Sequence, residues 1–322
     1  MRRVGILTTT HRNCGLPNYA RALCRELDKH HQCVILEAEP PGIGIPLYNA
    51  ANADLDVVTI NYHEGRLPYL LPEHIQAVQA SGKRVILIHH NSLEHGSFDG
   101  ELIAPLYAVA DAVVTHEPTV EGSVFIPHGI PEVSDLWGVN GQPTIGTAGF
   151  PFPWKRTDVV VEAARRTGSV ANLICPRHEG LLIPPPEDDW RRWVGDRLRL
   201  CTEFLPTATV VRLLATSWLN IFWFESLDPG DELGQTGSAR LGLAARRPVI
   251  FSRHRKFRTL FPYEDELYFA KTEEEVYATA AKILEDIAAG RLVKQPNRVL
   301  AEQGWTKCGE MYAELVERVV NW

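Results

Sequence analysis

Two tandem doubly wound α/β domains, each a parallel sheet covered by helices on both faces, are the fold class this sequence predicts. Three observations lead there. Short apolar runs alternate with helical patterns along the chain, the signature of a parallel sheet buried on both sides. The alternation breaks over residues 131–143 (PEVSDLWGVNGQP), rich in Pro, Gly, Asn and Asp, and then starts afresh. The length of 322 residues suits two domains of ~150 residues better than one.

The first series opens with a strand over 4–7. Residues 19–27 read as a helix because Tyr19, Leu23 and Leu27 fall on one face. Strands follow at 33–37, 57–60, 85–88, 112–115 and 124–126, with helices at 74–80 and 103–110; Ser81–Gly82 ends the former. The second series begins with a strand at 144–148 and a helix at 157–166. Strands near 172–175 and 199–201, a helix at 208–216, a strand at 219–224, a helix at 237–245 and a strand at 248–252 continue it. Residues 273–288 are strongly helical, and 307–320 form a terminal helix. The boundaries therefore read as a first domain over 1–136, a linker over 137–143, a second domain over 144–302 and a C-terminal segment over 303–322. Ligands of open parallel sheets sit beyond the carboxyl ends of the strands, so two such sheets facing one another would share an interdomain cleft.

Composition narrows the partners. The formal charge of -7 leaves no basic surplus for nucleic acid or an anionic membrane. The densest basic run, Arg253–His254–Arg255–Lys256 with Arg258, reads as a solvated stretch. Six scattered cysteines without metal-like spacing fit a reduced, intracellular protein. The apolar run at the N-terminus is short for a signal peptide, and no stretch approaches the ~18–20 apolar residues of a membrane span. A soluble cytoplasmic protein is expected, touching a membrane peripherally at most.

Two segments carry the chemistry. A strand ending in small residues, Ile145–Gly146–Thr147–Ala148–Gly149, leads to Pro153–Trp154–Lys155–Arg156 and a helix. Gly149 lets a ligand approach the backbone, and Lys155 and Arg156 offer cations at a helix N-terminus, an arrangement suited to a diphosphate. A plain strand–loop–helix connection with solvated cations fits the same residues. The second segment runs from Gly230 through Glu232, Gly234, Thr236, Gly237 and Ser238 into a helix. Thr236 or Ser238 is placed to cap that helix, leaving N–H groups for anion oxygens; ordinary capping is the alternative. Neither loop is a dinucleotide-binding GxGxxG followed by an acid, and no GxxxxGK[ST] occurs.

The motifs in order resemble one family over nearly the whole chain. Cys14–Gly15–Leu16–Pro17–Asn18–Tyr19, Tyr62–His63–Glu64–Gly65, Ile88–His89–His90–Asn91 and Ile126–Pro127–His128–Gly129 lie in the first half. IGTAGFPFPWKRTDVVVEAAR and TGSARLGLAARRPVIFSR lie in the second. Together they are similar to the glycosyltransferases of the GT-B fold, specifically the large family 4 ("group 1") type. The resemblance implies two Rossmann-like domains, with Trp305 opening a last helix that crosses back onto the first. It implies sugar transfer with retention, no required cofactor or metal, and a nucleoside diphosphate sugar such as a UDP- or GDP-sugar as donor. A saccharide, a lipid-linked sugar or a small molecule would be the acceptor.

It also implies roles. Lys155 matches the family's diphosphate-gripping lysine, while Phe150 holds the arginine position and Arg156 is the nearest substitute. Aligned on Pro248, the family's glutamate pair becomes Leu233 and Leu241, with Glu232 beside the first. Gly149, Thr236, Gly237 and Ser238 complete the expected donor side. His90 or His89 resembles the histidine that contacts the transferred sugar, and His63 is a further candidate base. Gly15, Asn18 and Glu64 would face the phosphates and acceptor. A turnover-silent binding or scaffolding protein, or a sugar-nucleotide epimerase on the same frame, are the competing readings.

Overall fold

The computed structural model describes residues 1–10, 15–38, 44–63, 67, 69–90, 100–118, 120–177, 187–225 and 237–322. The chain divides into two compact units. One is built on Met1–Gly129 and Trp305–Trp322, the other on Ile130–Pro229 and Thr236–Gly304.

The first unit carries strands β1 (Arg3–Thr9), β2 (Gln32–Ala38), β3 (Val57–Tyr62), β4 (Arg84–His89), β5 (Ala112–Thr115) and β6 (Val124–Phe125). They pair in parallel in the order β2-β1-β3-β4-β5-β6, with Val4 opposite both Cys33 and Val57. Period-two alternation sends Val4 and Ile6 into one core layer and Leu7 into the other, so β1 is buried on both faces. Helices α1 (Gly15–Leu27), α2 (Gly44–Asn52), α3 (Pro72–Ala80) and α4 (Gly100–Val109) connect the strands.

The second unit holds β7 (Thr144–Ala148), β8 (Val170–Ile174), β9 (Leu198–Cys201), β10 (Leu219–Phe222), β11 (Val249–Ser252) and β12 (Tyr268–Ala270), all parallel, in the order β12-β11-β10-β7-β8-β9. Helices α5 (Thr157–Thr167), α6 (Glu187–Val194), α7 (Thr207–Ala215), α8 (Gly237–Ala244), α9 (Glu273–Ala288) and α10 (Asn297–Gln303) cover its faces. Val159, Val160, Val161, Ala163 and Ala164 bury α5, and each large aliphatic buried this way contributes about 1.5–3 kcal/mol. The helix stops where Gly168 turns left-handed at φ 68° and its N–H returns to the Ala164 and Arg165 carbonyls. At the start of α9, Thr272 Oγ1 accepts from the Glu275 N–H at 3.2 Å while Glu275 Oε2 accepts from the Lys271 N–H at 2.6 Å.

Most expected elements lie where the periodicity puts them. Four were not anticipated: α2, α6, α10 and β12. The last two have seven and three residues, too short for a periodic signal. Residues 137–143, expected as a linker, are held on the second unit. Trp218 Nε1 donates to the Asn140 carbonyl at 2.8 Å, and Asp135 pairs with Arg212. Helix α11 (Trp305–Val320) belongs to the first unit, where it packs on α1. Gly129 makes room for it, since a Cβ there would stand 2.4 Å from the Trp305 ring. No helix among the described residues is long and apolar enough to cross a membrane.

Candidate functional site

The strand order of the second unit reverses between β7 and β10. At such a switch point the loops leaving two adjacent strands diverge to opposite faces, and a crevice opens at their carboxyl ends. Both segments singled out by sequence leave from there.

Gly149 follows β7 with φ 125°, a backbone conformation that side chains disfavour. A Cβ at Gly149 would stand 2.9 Å from Ser238 Cβ, 3.1 Å from Ser238 Oγ and 3.4 Å from Lys155 Nζ. The glycine therefore lets the first turn of α8 and the lysine converge on one point. Lys155 reaches it from a 3-10 turn, Pro153–Lys155, whose left-handed end at Arg156 starts α5. Its ammonium sits among aromatic rings, 4.8 Å from the centre of Trp154, 5.4 Å from Phe152, 5.9 Å from Phe150 and 6.0 Å from Phe224. These faces favour the cation without discharging it. Phe150 stacks on Phe204, and Phe152 on Trp154, so the rings brace one another. The arrangement brings an ammonium, a hydroxyl and the start of α8 to one point.

Arg156 has another occupation. Its guanidinium is engaged by Asp158, Glu225 and Glu273, with 2.9 Å to Asp158 and 2.7 Å to Glu273. These pairs engage the guanidinium that the sequence offers as a second diphosphate cation. Gly237 is exposed and Ser238 half-buried at the start of α8, and Leu241 is half-buried further along it. Glu232, Leu233, Gly234 and Thr236 lie outside the described residues, as does Glu64.

In the first unit, histidines gather at the carboxyl ends of β4, β5 and β6. His89 is 0 % exposed and its Nδ1 hydrogen-bonds the Tyr107 hydroxyl at 2.7 Å. His90 is 8 % exposed, its Nε2 bonds Asn61 Oδ1 at 3.2 Å, and Tyr19 meets its ring edge-on at 4.4 Å. His116 and His128 stand 4.9 Å and 6.3 Å from His90. Burial, with His116 and His128 nearby, holds the His90 imidazole well below the ordinary histidine range, so it is neutral near pH 7. This enclosure surrounds the two histidines that the sequence offers to the transferred sugar. His63, just after β3, is half-buried, and its carbonyl accepts from the Leu67 N–H at 2.8 Å. Asn18 is half-buried on α1, with Oδ1 3.4 Å from Arg21 Nη1. Gly15 is exposed, and no described atom lies within 4 Å of where a Cβ would be.

Sequence reasoning missed Trp154 as the hub of the lysine cluster, and it missed His116. A histidine directly after a strand was the available signal, since His116 follows β5 as His90 follows β4.

Two parallel sheets of this order, in tandem, define the GT-B fold of glycosyltransferases. Among solved structures, HepE of Anabaena in complex with UDP-glucose superposes with a TM-score of 0.72 at 10% identity, over 99% of this chain and 100% of that one. Sucrose-phosphate synthase from Thermosynechococcus elongatus gives 0.69 at 12% identity over 100% of both chains. AviGT4, a glycosyltransferase involved in avilamycin A biosynthesis, gives 0.65 at 15% identity over 100% and 98%. No family model matches the sequence, and no curated protein matches it. The likeness is one of fold.

Proposed function

We propose that the chain is a glycosyltransferase that moves a sugar from a nucleoside diphosphate sugar to an acceptor hydroxyl, with retention and without a metal. One observation carries the reading: Gly149, Lys155 and Ser238 converge at the switch point of the second sheet. The bound UDP-glucose of HepE, on the same fold, supports a nucleotide sugar as the ligand.

As the glycosidic bond breaks, negative charge gathers on the departing diphosphate. Lys155 and the first N–H groups of α8 meet that charge as it develops, from positions already fixed by the aromatic frame. Fixed dipoles and a lysine do here what a divalent ion does in other transferases. Arg156, committed to three carboxylates, is left out of this site. The first unit supplies the acceptor side, through Gly15, Asn18 and Glu64. Of the three histidines considered, His63 is the one assigned as base, because it is half-buried where His89 and His90 are buried.

The test is release of nucleoside diphosphate from a panel of UDP-, GDP- and ADP-sugars in the presence of saccharide and lipid-linked acceptors. Lys155→Ala should lower release at least about a hundredfold while leaving the melting temperature within a few degrees. Full activity in that variant would sink the donor assignment. An isomerised sugar nucleotide with no release would make the protein an epimerase, and binding without turnover a scaffold.

A further inference from the structure

Phe204 lies in the loop that follows β9 and is 37 % exposed. Single exposed apolar side chains are ordinary, but this one is held in a stack. Its ring centre lies 5.9 Å from that of Phe150 with 18° between the planes, the offset arrangement that aromatic pairs favour. The two phenylalanines follow β7 and β9, which are not neighbours, since β8 runs between them. Past its end β8 stays paired to β9, with the Cys175 N–H on the Cys201 carbonyl at 2.8 Å and the Arg177 N–H on the Thr202 carbonyl at 3.1 Å. The rings therefore meet across the carboxyl end of β8, at the edge where ligands of parallel sheets sit.

Phe150 is also part of the cluster around Lys155, whose ammonium is 5.9 Å from its ring centre. One ring thus links that ammonium to Phe204. A ligand that engages both ends of this arrangement needs an anionic group at one end and a flat apolar surface at the other. A nucleoside diphosphate is such a molecule, with its ribose spanning the gap between phosphates and base. The base adds a further parallel layer to a stack that Phe150 has already oriented, whereas a puckered sugar ring rimmed with hydroxyls matches that face less well. We propose that Phe204, backed by Phe150, is the stacking platform for the nucleobase of the donor. The inference rests on the donor reading above and deepens it. A π-face is common to every base, so the platform serves any nucleoside diphosphate that the site takes.

The full chain is titrated by calorimetry with UDP, GDP, ADP and inorganic pyrophosphate, as wild type, Phe204→Leu and Phe204→Trp. Leucine keeps an apolar side chain and removes the π-face; tryptophan keeps that face and enlarges it. Wild type should bind at least one of the nucleotides more tightly than pyrophosphate. Phe204→Leu should weaken that nucleotide about fivefold to a hundredfold and pyrophosphate less than about twofold. Phe204→Trp should bind the nucleotide at least as well as wild type. Pyrophosphate weakened as much as the nucleotide would mean that the loop only shifts the phosphate site, and that result overturns the proposal. Unchanged nucleotide affinity in Phe204→Leu overturns it while leaving the donor reading intact, whereas a wild type that binds none of the nucleotides overturns both. A second measurement reads the contact itself. In Phe204→Trp a saturating nucleotide should quench tryptophan emission beyond its effect on wild type, and pyrophosphate should not. Equal quenching in the two proteins overturns the proposal.

Discussion

The lysine cluster of the second unit and the histidine cluster of the first are made of similar parts. Each sets titratable side chains among aromatic rings at the carboxyl ends of parallel strands. Around Lys155 the rings of Phe150, Phe152 and Trp154 are half-exposed, and an ammonium stands at the centre. Around His90 the partners Tyr19, His116 and Asn61 are buried, and the imidazole is held neutral. A strand end is where a ligand is expected, but position alone does not make a receptor. What distinguishes the two is whether the charge survives. On the proposed reading a cation among ring faces offers its field to an anion, while a desolvated histidine is held without its proton.

The largest expected effect breaks the lysine side of this comparison. Gly149→Ala forces a Cβ into a φ of 125° and to within 2.9 Å of Ser238 Cβ. Strain of this type costs about 1–3 kcal/mol, and relief requires Ser238 to give way at the start of α8. UDP or GDP affinity should fall at least about tenfold by calorimetry, with a lower melting temperature. Unchanged affinity in a folded variant would show that convergence on Gly149 is not what binds the nucleotide.

A smaller effect tests the histidine side. The pKa of His90 is depressed in the folded state, whereas an unfolded histidine titrates near 6.5. Below that pH the unfolded chain takes up a proton that the native state refuses. The stability from a neutral His90 is therefore complete above about pH 6.5 and is lost as the pH falls, by about 1.4 kcal/mol per pH unit. Tyr19, His116, His128, His63 and His89 surround or influence this imidazole. Melting temperatures from pH 8 to pH 5 should drop below pH 6.5, and His90→Gln should flatten the slope. An identical slope in that variant places the acid sensitivity elsewhere. Nucleotide affinity in the second unit should not follow this titration.

Much of both regions was legible in the sequence. The strands announced themselves as apolar runs because both faces of each sheet are covered, and the glycine and lysine of the β7 loop stood out by type and spacing. Lys256 was not legible. In HRKFR nothing local distinguishes the buried lysine from the exposed Arg255 or the half-buried Arg258; the tertiary approach of Trp154 does so. His89 and His90 were singled out correctly as strand-end residues. Their environment depends on Tyr19, Asn61 and Tyr107, from three other elements, which no short-range pattern reveals. Residue type and strand register are local properties. Burial, and the protonation it dictates, is not.

The smallest effect sharpens the comparison by asking whether the cation next to Lys155 in sequence also holds the nucleotide. Arg156 sits beside Lys155 in sequence, but at φ 39° it ends the 3-10 turn and opens α5 in a left-handed conformation. That conformation costs a non-glycine residue about 1–2 kcal/mol. Its ion pairs with Asp158, Glu225 and Glu273 are partly exposed, so solvent screening holds each to roughly 0–1 kcal/mol. Arg156→Gly removes the strain and the pairs together, and these terms are of similar size and opposite sign. The melting temperature should shift by less than about 3 °C, and UDP or GDP affinity should stay within about twofold of wild type. A tenfold loss of affinity with an unchanged melting temperature would return Arg156 to the donor site. The distinction drawn here would then fail, because a cation already neutralised by carboxylates would be binding phosphate.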